Sequence, residues 1–263
     1  MPSRLRVMTF NVRQLRDDRS AVVAVLRDAA PDVVAIQEPP RGPWGPFRLR
    51  SVARAAGLRV AVSGRGARTT ALLVRPGLPV AGARSVRLPA APAPAVHAAR
   101  PPAVPSGRAP TAPSAGAPTA GTPTEPPTLT PVRRRPAVKR GFALAEVAGV
   151  RVVSVHLGLD PTERAMHVGL LLAELGASDA PCVVAGDLNE RPGGASWRRL
   201  LAGLRDAAPH VGPTFPAVSP AHRIDAVLVA GGLRVDSARV VAGESTQRAS
   251  DHLPVVVDLT IGA

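Results

Sequence analysis

Between Pro89 and Pro136 the chain runs for 48 residues of which 14 are proline, with Ala, Thr, Ser and Gly filling most of the remainder. Proline lacks the amide hydrogen and fixes φ, so this stretch cannot supply a helix interior or a central strand. It also carries too little apolar surface to offset the entropy of ordering. It reads as a disordered, partly polyproline-II insertion, and whatever folds must be assembled from its two flanks. Neither flank looks complete alone. The expected organisation is therefore one domain over residues 1–263, interrupted at 89–136. The insertion ends in a basic cluster, Arg133-Arg134-Arg135 through Lys139-Arg140. The plain reading of that cluster is a solvated, charged loop end; the sharper one is an electrostatic arm for a polyanion.

Both flanks carry the periodicities of ordered structure. Leu5 to Val12 alternates apolar and polar residues, as a strand does. Ser20 is placed to cap a helix over Ala21 to Ala29 that shows Val22, Val25 and Leu26 on one face. Further strands are expected at Val33–Ile36, Leu58–Val62, Ala71–Val74, Pro181–Ala185, Ile224–Val229 and Val255–Leu259. Phe142–Val147 and Arg151–His156 form a hairpin through Ala148-Gly149. Helices are expected over Thr162–Leu175 and Ser196–Leu204. Strands outnumber helices and several helices follow strands, which suggests a sheet-rich α/β domain with helices packed outside.

Composition narrows the class. Hydrophobic residues make up 45% of the chain, enough for a sizeable core. There is no apolar run long enough for an integral membrane segment. The single Cys182 excludes an internal disulfide framework and a cysteine-cluster metal site, and its apolar neighbours suggest a buried, inert thiol. Nothing at the N-terminus resembles a secretory signal, so a cytoplasmic location is expected. The formal net charge is +14, although Lys139 is the only lysine, the pattern of a GC-rich coding sequence. Such a surface draws anionic partners, among them nucleic acid, phosphorylated metabolites and lipid head groups. No obligate protein partner is implied.

Asparagine occurs twice, at Asn11 by the end of the first expected strand and at Asn189 just beyond the strand Pro181–Ala185. Glu38 follows Val33–Gln37, His156 closes its strand, Asp187 lies in Gly186-Asp187-Leu188-Asn189, and Asp251-His252 precedes the last strand. Asp225 is the outlier, at the start of its strand. Singly, each has a plain explanation as a turn residue, a cap or a structural histidine. Together, Glu38 with Asn11, Asp187 and Asp251 offers hard oxygen ligands suited to Mg²⁺ or Mn²⁺. The histidines and asparagines offer donors to phosphate oxygens, and a carboxylate can activate water. That inventory fits metal-dependent phosphoester hydrolysis.

In this order the motifs resemble those of the endonuclease/exonuclease/phosphatase superfamily, the deoxyribonuclease-I-like proteins. Thr9-Phe10-Asn11-Val12-Arg13 is similar to the N-terminal Asn motif, Ile36-Gln37-Glu38 to the Gln-Glu motif and Val155-His156-Leu157 to the first histidine motif. Gly186-Asp187-Leu188-Asn189, Arg223-Ile224-Asp225 and Ser250-Asp251-His252-Leu253-Pro254 are similar to the remaining three. The resemblance implies an α+β (α/β) four-layer sandwich, two mostly antiparallel sheets face to face with helices outside, and a site at one rim. It implies Glu38 as principal metal ligand with Asn11 and Asp251 nearby. Asp187 would orient or deprotonate the attacking water and Asn189 hold it or the phosphate. His156 would bind a phosphate oxygen, and His252, oriented by Asp225, would stabilise charge or act as base.

The chain departs from the family in having no tyrosine. Arg13 stands where the abasic-site endonucleases tend to carry an acidic or amide residue, and the Cys-Asp-Arg signature of inositol-polyphosphate 5-phosphatases is missing. Trp44, Trp197 and four phenylalanines leave few rings for base stacking. The expected activity is a Mg²⁺-dependent phosphodiesterase or nuclease. The rivals are a phosphatase or phosphodiesterase on a lipid head group or small phosphorylated metabolite, and an inactive scaffold whose working part is the basic Pro-rich arm.

Overall fold

The first strand states the rule of the whole fold. In β1 (Arg4–Asn11), Leu5, Val7, Thr9 and Asn11 alternate with Arg6, Met8 and Phe10, so the two sets face opposite ways. The first set looks into the space between two sheets and the second against helices. The computed structural model describes residues 4–90, 138–176 and 180–262. After β1 come α1 (Arg19–Ala29), β2 (Val33–Gln37), α2 (Gly45–Ala55), β3 (Arg59–Val62), β4 (Thr70–Val74) and β5 (Val80–Arg87). Beyond the insertion follow β6 (Gly141–Val147), β7 (Val150–His156), α3 (Pro161–Leu175), β8 (Cys182–Asp187), α4 (Ala195–Leu201) and β9 (Arg205–Asp206). The chain then adds β10 (Asp225–Ala230), β11 (Arg234–Val240), α5 (Glu244–Ala249) and β12 (Val255–Thr260).

The strands form two six-stranded sheets, ordered β11-β12-β1-β2-β4-β3 and β5-β6-β7-β8-β10-β9. Each is mostly antiparallel with one central parallel pair, β1–β2 in the first and β7–β8 in the second. Each parallel pair is bridged by a helix, α1 or α3, because parallel neighbours need a crossover. The core between the sheets is formed by Leu5, Val7, Val33, Ala35, Leu72 and Val257 against Ala143, Ala145, Val152, Val183, Ala185 and Val227. Met8, Phe10, Val34 and Ile36 pack under α1 and α2, and Val153, Val155, Val184 and Leu228 under α3 and α4. This is the four-layer sandwich.

The expected strands form, with ends shifted by a residue or two. Helix α1 begins two residues earlier than Ser20 suggests, because Asp18 is the cap and its carboxylate accepts from the Ala21 amide at 3.0 Å. Asp160 caps α3 in the same way. Cys182 is buried, as its neighbours suggest, and burial raises its pKa. The Pro-rich insertion falls almost wholly on residues 91–137, outside the described residues. Its two roots are described: Arg87 pairs with Gly141, and the Leu88 amide donates to the Arg140 carbonyl at 3.1 Å. The His167 ring sits 2.9 Å from the Pro89 carbonyl oxygen. Among the described residues no helix is long and apolar enough to cross a membrane.

Candidate active site

The alternation that fills the core continues to one rim and turns polar there. On the inward face, β1 runs Leu5, Val7, Thr9, Asn11; β7 runs Val152, Ser154, His156; β8 runs Val183, Ala185, Asp187. A one-residue slip of register would turn each of these side chains out of the inter-sheet space. Asp225 fits the same scheme despite opening its strand. β10 is antiparallel to β8 and pairs Asp225 with Asp187, so its first residue lies at the rim where β8 ends. Beneath the rim, Thr9 Oγ1 donates to Gln37 Oε1 at 3.1 Å, Gln37 Nε2 donates to Ser154 Oγ at 3.3 Å, and Ser154 Oγ donates to the Ile36 carbonyl at 3.0 Å. This buried chain ties the two sheets together below the site.

Asp187 is the hub. Asn11 Nδ2 donates to its Oδ2 at 3.2 Å, and the Asn189 amide donates to its Oδ1 at 2.8 Å. His156 Nε2 lies 3.5 Å and His252 Nε2 3.9 Å from Oδ2. β7 and β8 approach closely here. A Cβ on Gly186 would stand 1.9 Å from the Val155 carbonyl oxygen, so only glycine fits before Asp187. Asn189 adopts φ 49°, which an asparagine tolerates, and its Nδ2 donates to the Leu157 carbonyl at 2.8 Å.

His252 is fixed from behind. Its Nδ1 is 2.9 Å from Asp225 Oδ2, and the Thr214 hydroxyl donates to that same oxygen at 2.6 Å. Thr214 in turn accepts from the amides of Ile224 and Asp225. Phe215 lies against the His252 ring with centroids 4.8 Å apart.

The charges are unequal by design of the burial. Desolvation acts first on Asp187, Asp225 repels its charge, and together they raise its pKa to about 7. Burial alone would lower His252, but Asp225, with Asp187 and Asp251, overrides it and lifts the pKa to about 9. His156 is held well below the ordinary histidine value by burial first, then by the positive charges of Arg140, His252 and Arg41. One histidine is thus a cation at neutral pH and the other is not. The 3.5 Å approach of His156 to Asp187 is accordingly a contact of a neutral ring, not an ion pair.

Glu38 stands at the end of β2 in a left-handed conformation, φ 49°, half-buried, with Gln14 Nε2 3.5 Å from its Oε2. Asp251 and Asn11 are already engaged by Arg13, whose Nε is 3.3 Å from Asp251 Oδ2 and whose amide donates to Asn11 Oδ1 at 3.1 Å. The Ser250 hydroxyl donates to the Asn11 carbonyl at 2.6 Å, joining the first and last motifs. A hard divalent cation suits this all-oxygen set, with Glu38 the least encumbered carboxylate. A second, buried group also presents ligand atoms within 4.8 Å of one another: Asp187, Asp225 and His252. The Oδ1 of Asp225 there has no hydrogen-bond partner.

Sequence reasoning missed Thr214 and Arg140. Thr214 lies in an unremarkable Pro213-Thr214-Phe215-Pro216 run with no local signal of burial. Arg140 corrects the reading of the basic cluster as a solvated loop end. Its side chain is buried and Nη1 donates to the His156 carbonyl at 3.0 Å, so this member of the cluster forms a wall of the site. Arg223 is not in the site. It clamps Asp206 through two 2.8 Å contacts and lies over the Trp197 ring. His222 lies against exposed Arg191 and His167 holds Pro89; His210 is exposed, and His97 is outside the described residues.

A family model described as "Endonuclease/Exonuclease/phosphatase family" matches residues 8–252. No curated protein sequence matches the chain. Among solved structures, an endonuclease/exonuclease/phosphatase from Bacteroides vulgatus superposes with TM-score 0.67 at 17% identity, covering 98% of this chain and 99% of that one. The mannosyl-6-phosphatase Bt3783 of Bacteroides thetaiotaomicron gives 0.66 at 16% identity, with coverages of 98% and 100%. A humanized D. rerio TDP2 gives 0.61 at 17% identity, also with 98% and 100%. At these identities the likeness is one of fold.

Proposed function

Because the chain belongs to the endonuclease/exonuclease/phosphatase family, we propose that it is a metal-dependent phosphoester hydrolase, acting on phosphodiesters by in-line attack of water. The observation that carries this reading is the convergence of Asp187, Asn11, His156 and the Asp225–His252 pair at one rim. Glu38, with Asn11 and Asp251 beside it, would hold Mg²⁺ or Mn²⁺, which when bound supplies Lewis-acid polarisation of a phosphoryl oxygen.

The rest follows from the chain's own groups. Asp187, with a pKa of about 7, is matched to taking a proton from water near neutral pH. Asn189 and Asn11 fix its carboxylate plane, and so the direction from which water is held. His252, protonated up to about pH 9, has no lone pair to act as base. Its Nε2–H is instead a donor to charge growing on the phosphoryl group, an effect worth about 3–4 kcal/mol for one well-placed donor. Asp225 keeps that ring charged and oriented. His156, uncharged, hydrogen-bonds a non-bridging oxygen and adds no second cation.

The test is hydrolysis of plasmid DNA, single-stranded DNA, RNA, bis(p-nitrophenyl) phosphate and phosphomonoesters, each with Mg²⁺, Mn²⁺ or chelator. Asp187→Ala runs beside the wild type. Metal-dependent cleavage absent from the variant supports the assignment. Cleavage that survives excess chelator, or that the variant retains, refutes it.

A further inference from the structure

The apolar side chains that remain exposed are not scattered. Among the described residues seven large ones are exposed, and five of them lie on or directly beside the connections at the catalytic rim. Trp44 (74% exposed) and Phe47 (66%) lie in the last residues before α2 and its first turn, just after Glu38. Leu159 (77%) is three residues beyond His156. Val218 (76%) follows Ala217, whose amide donates to the Asp251 carbonyl at 2.8 Å. Val138 precedes Arg140. The connections at the opposite rim, such as Ala148-Gly149 and Gly231-Gly232, carry none. A fold that hides Trp197 at 1% exposure leaves its other tryptophan in water beside the site.

The charge around these tips is mainly positive. On the same connections Arg13, Arg16, Arg41, Arg65, Lys139 and Arg191 are exposed, against the acids Asp17 and Asp160; α5 adds one of each sign. Apolar tips inside a basic collar match the interfacial layer of an anionic bilayer, which takes up Trp, Phe and aliphatic ends while Arg and Lys meet head-group phosphates. Nucleic acid matches less well. It would use two rings for stacking but offers Leu159, Val218 and Val138 nothing to bury against.

We propose that the catalytic rim docks on an anionic phospholipid surface through Trp44, Phe47, Leu159 and Val218, presenting the site to the phosphodiester of a lipid head group. This rests on the hydrolase reading for its chemistry but not for its binding. The full-length protein is sedimented with vesicles of phosphatidylcholine and phosphatidylglycerol in equal parts, and with phosphatidylcholine alone. Head-group release is measured in the presence of Mg²⁺. Anionic vesicles should carry the protein down and move Trp44 emission to the blue, since Trp197 is already buried. The double variant Trp44→Ser/Phe47→Ser, altered only at exposed positions, should partition at least tenfold more weakly. Absence of vesicle binding, binding indifferent to the double variant, or a Trp44 shift produced by DNA and not by vesicles overturns the proposal. Soluble bis(p-nitrophenyl) phosphate separates the two failures. Its turnover without vesicle binding removes the docking surface and keeps the hydrolase. Docking without turnover of either the diester or lipid supports the surface and removes the chemistry.

Discussion

Replacing Asp225 by Asn leaves the shape of the His252 contact and removes its charge. The Nδ1 to Oδ2 distance is 2.9 Å in a buried site, so the ring and carboxylate charges lie about 4 Å apart. At an effective dielectric of about 20 their attraction is about 4 kcal/mol, or about three pKa units. His252 should therefore fall from about 9 in the wild type to about 6 in Asp225→Asn. At pH 8 the charged donor then changes from about nine-tenths populated to about one part in a hundred. kcat/KM at that pH should drop by about 10², within the range for removal of one transition-state donor. The assay is the pH profile for a soluble diester from about pH 5 to about pH 10, with the imidazole titration followed by NMR. The alkaline limb should move from near 9 to near 6 in the variant. An alkaline limb that stays near 9 in Asp225→Asn would refute the argument, because the limb would then belong to another group.

Asp187 and His252 both make stability fall as pH rises, while His156, whose pKa burial lowers, acts with the opposite sign up to the ordinary histidine range, so the net fall is expected above about pH 7. Asp187 binds its proton more tightly folded than unfolded, so stability is lost from about pH 4 through about 7; His252 does likewise, losing its contribution up to about pH 9. Urea midpoints across that range check this, and Asp187→Asn should remove the lower part, raise the midpoint at neutral pH and abolish turnover. Glu38→Ala should cut metal-dependent turnover by about 10² or more while circular dichroism stays unchanged. Thr214→Val leaves the amides of Ile224 and Asp225 without their acceptor, and urea unfolding should show a loss of about 1–3 kcal/mol. Gly186→Ala forces β8 away from β7, and should lower kcat far more than it raises KM, since Asp187 moves with the strand.

What was legible in the sequence followed from burial on both faces. Val33–Gln37 and Cys182–Asp187 are fully buried strands, and their apolar runs could be seen without neighbours. The missed strands β5, β9 and β11 are all sheet edges; β9 has only two residues, and Val80–Arg87 and Arg234–Val240 are mostly exposed, so pairing is set by the partner and not by pattern. Helix α2 was hidden by its opening Gly45-Pro46, and α5 is only six residues long. The polar residues at strand ends pointed to the cluster that gathers at one rim, because nothing in a core needs Asn11 or Asp187 there. Asp225 looked out of place only because strand direction is not written in one segment. Thr214 and Arg140 were invisible for a related reason. Their partners, Asp225 and His156, are 11 and 16 residues away and belong to other elements.

The two roots of the insertion meet across one backbone hydrogen bond, yet the chain on either side of it does not divide the sheets. The earlier part contributes four strands to the first sheet and β5 to the second; the later part contributes the rest of both. The candidate site is divided too, with Asn11 and Glu38 before the roots and His156, Asp187, Asp225 and His252 after them. Cleavage between β5 and β6 would thus yield two pieces, each holding an unfinished edge that only the other completes. Such a pair would behave as a coincidence detector: silent apart, and active only where something brings both fragments together.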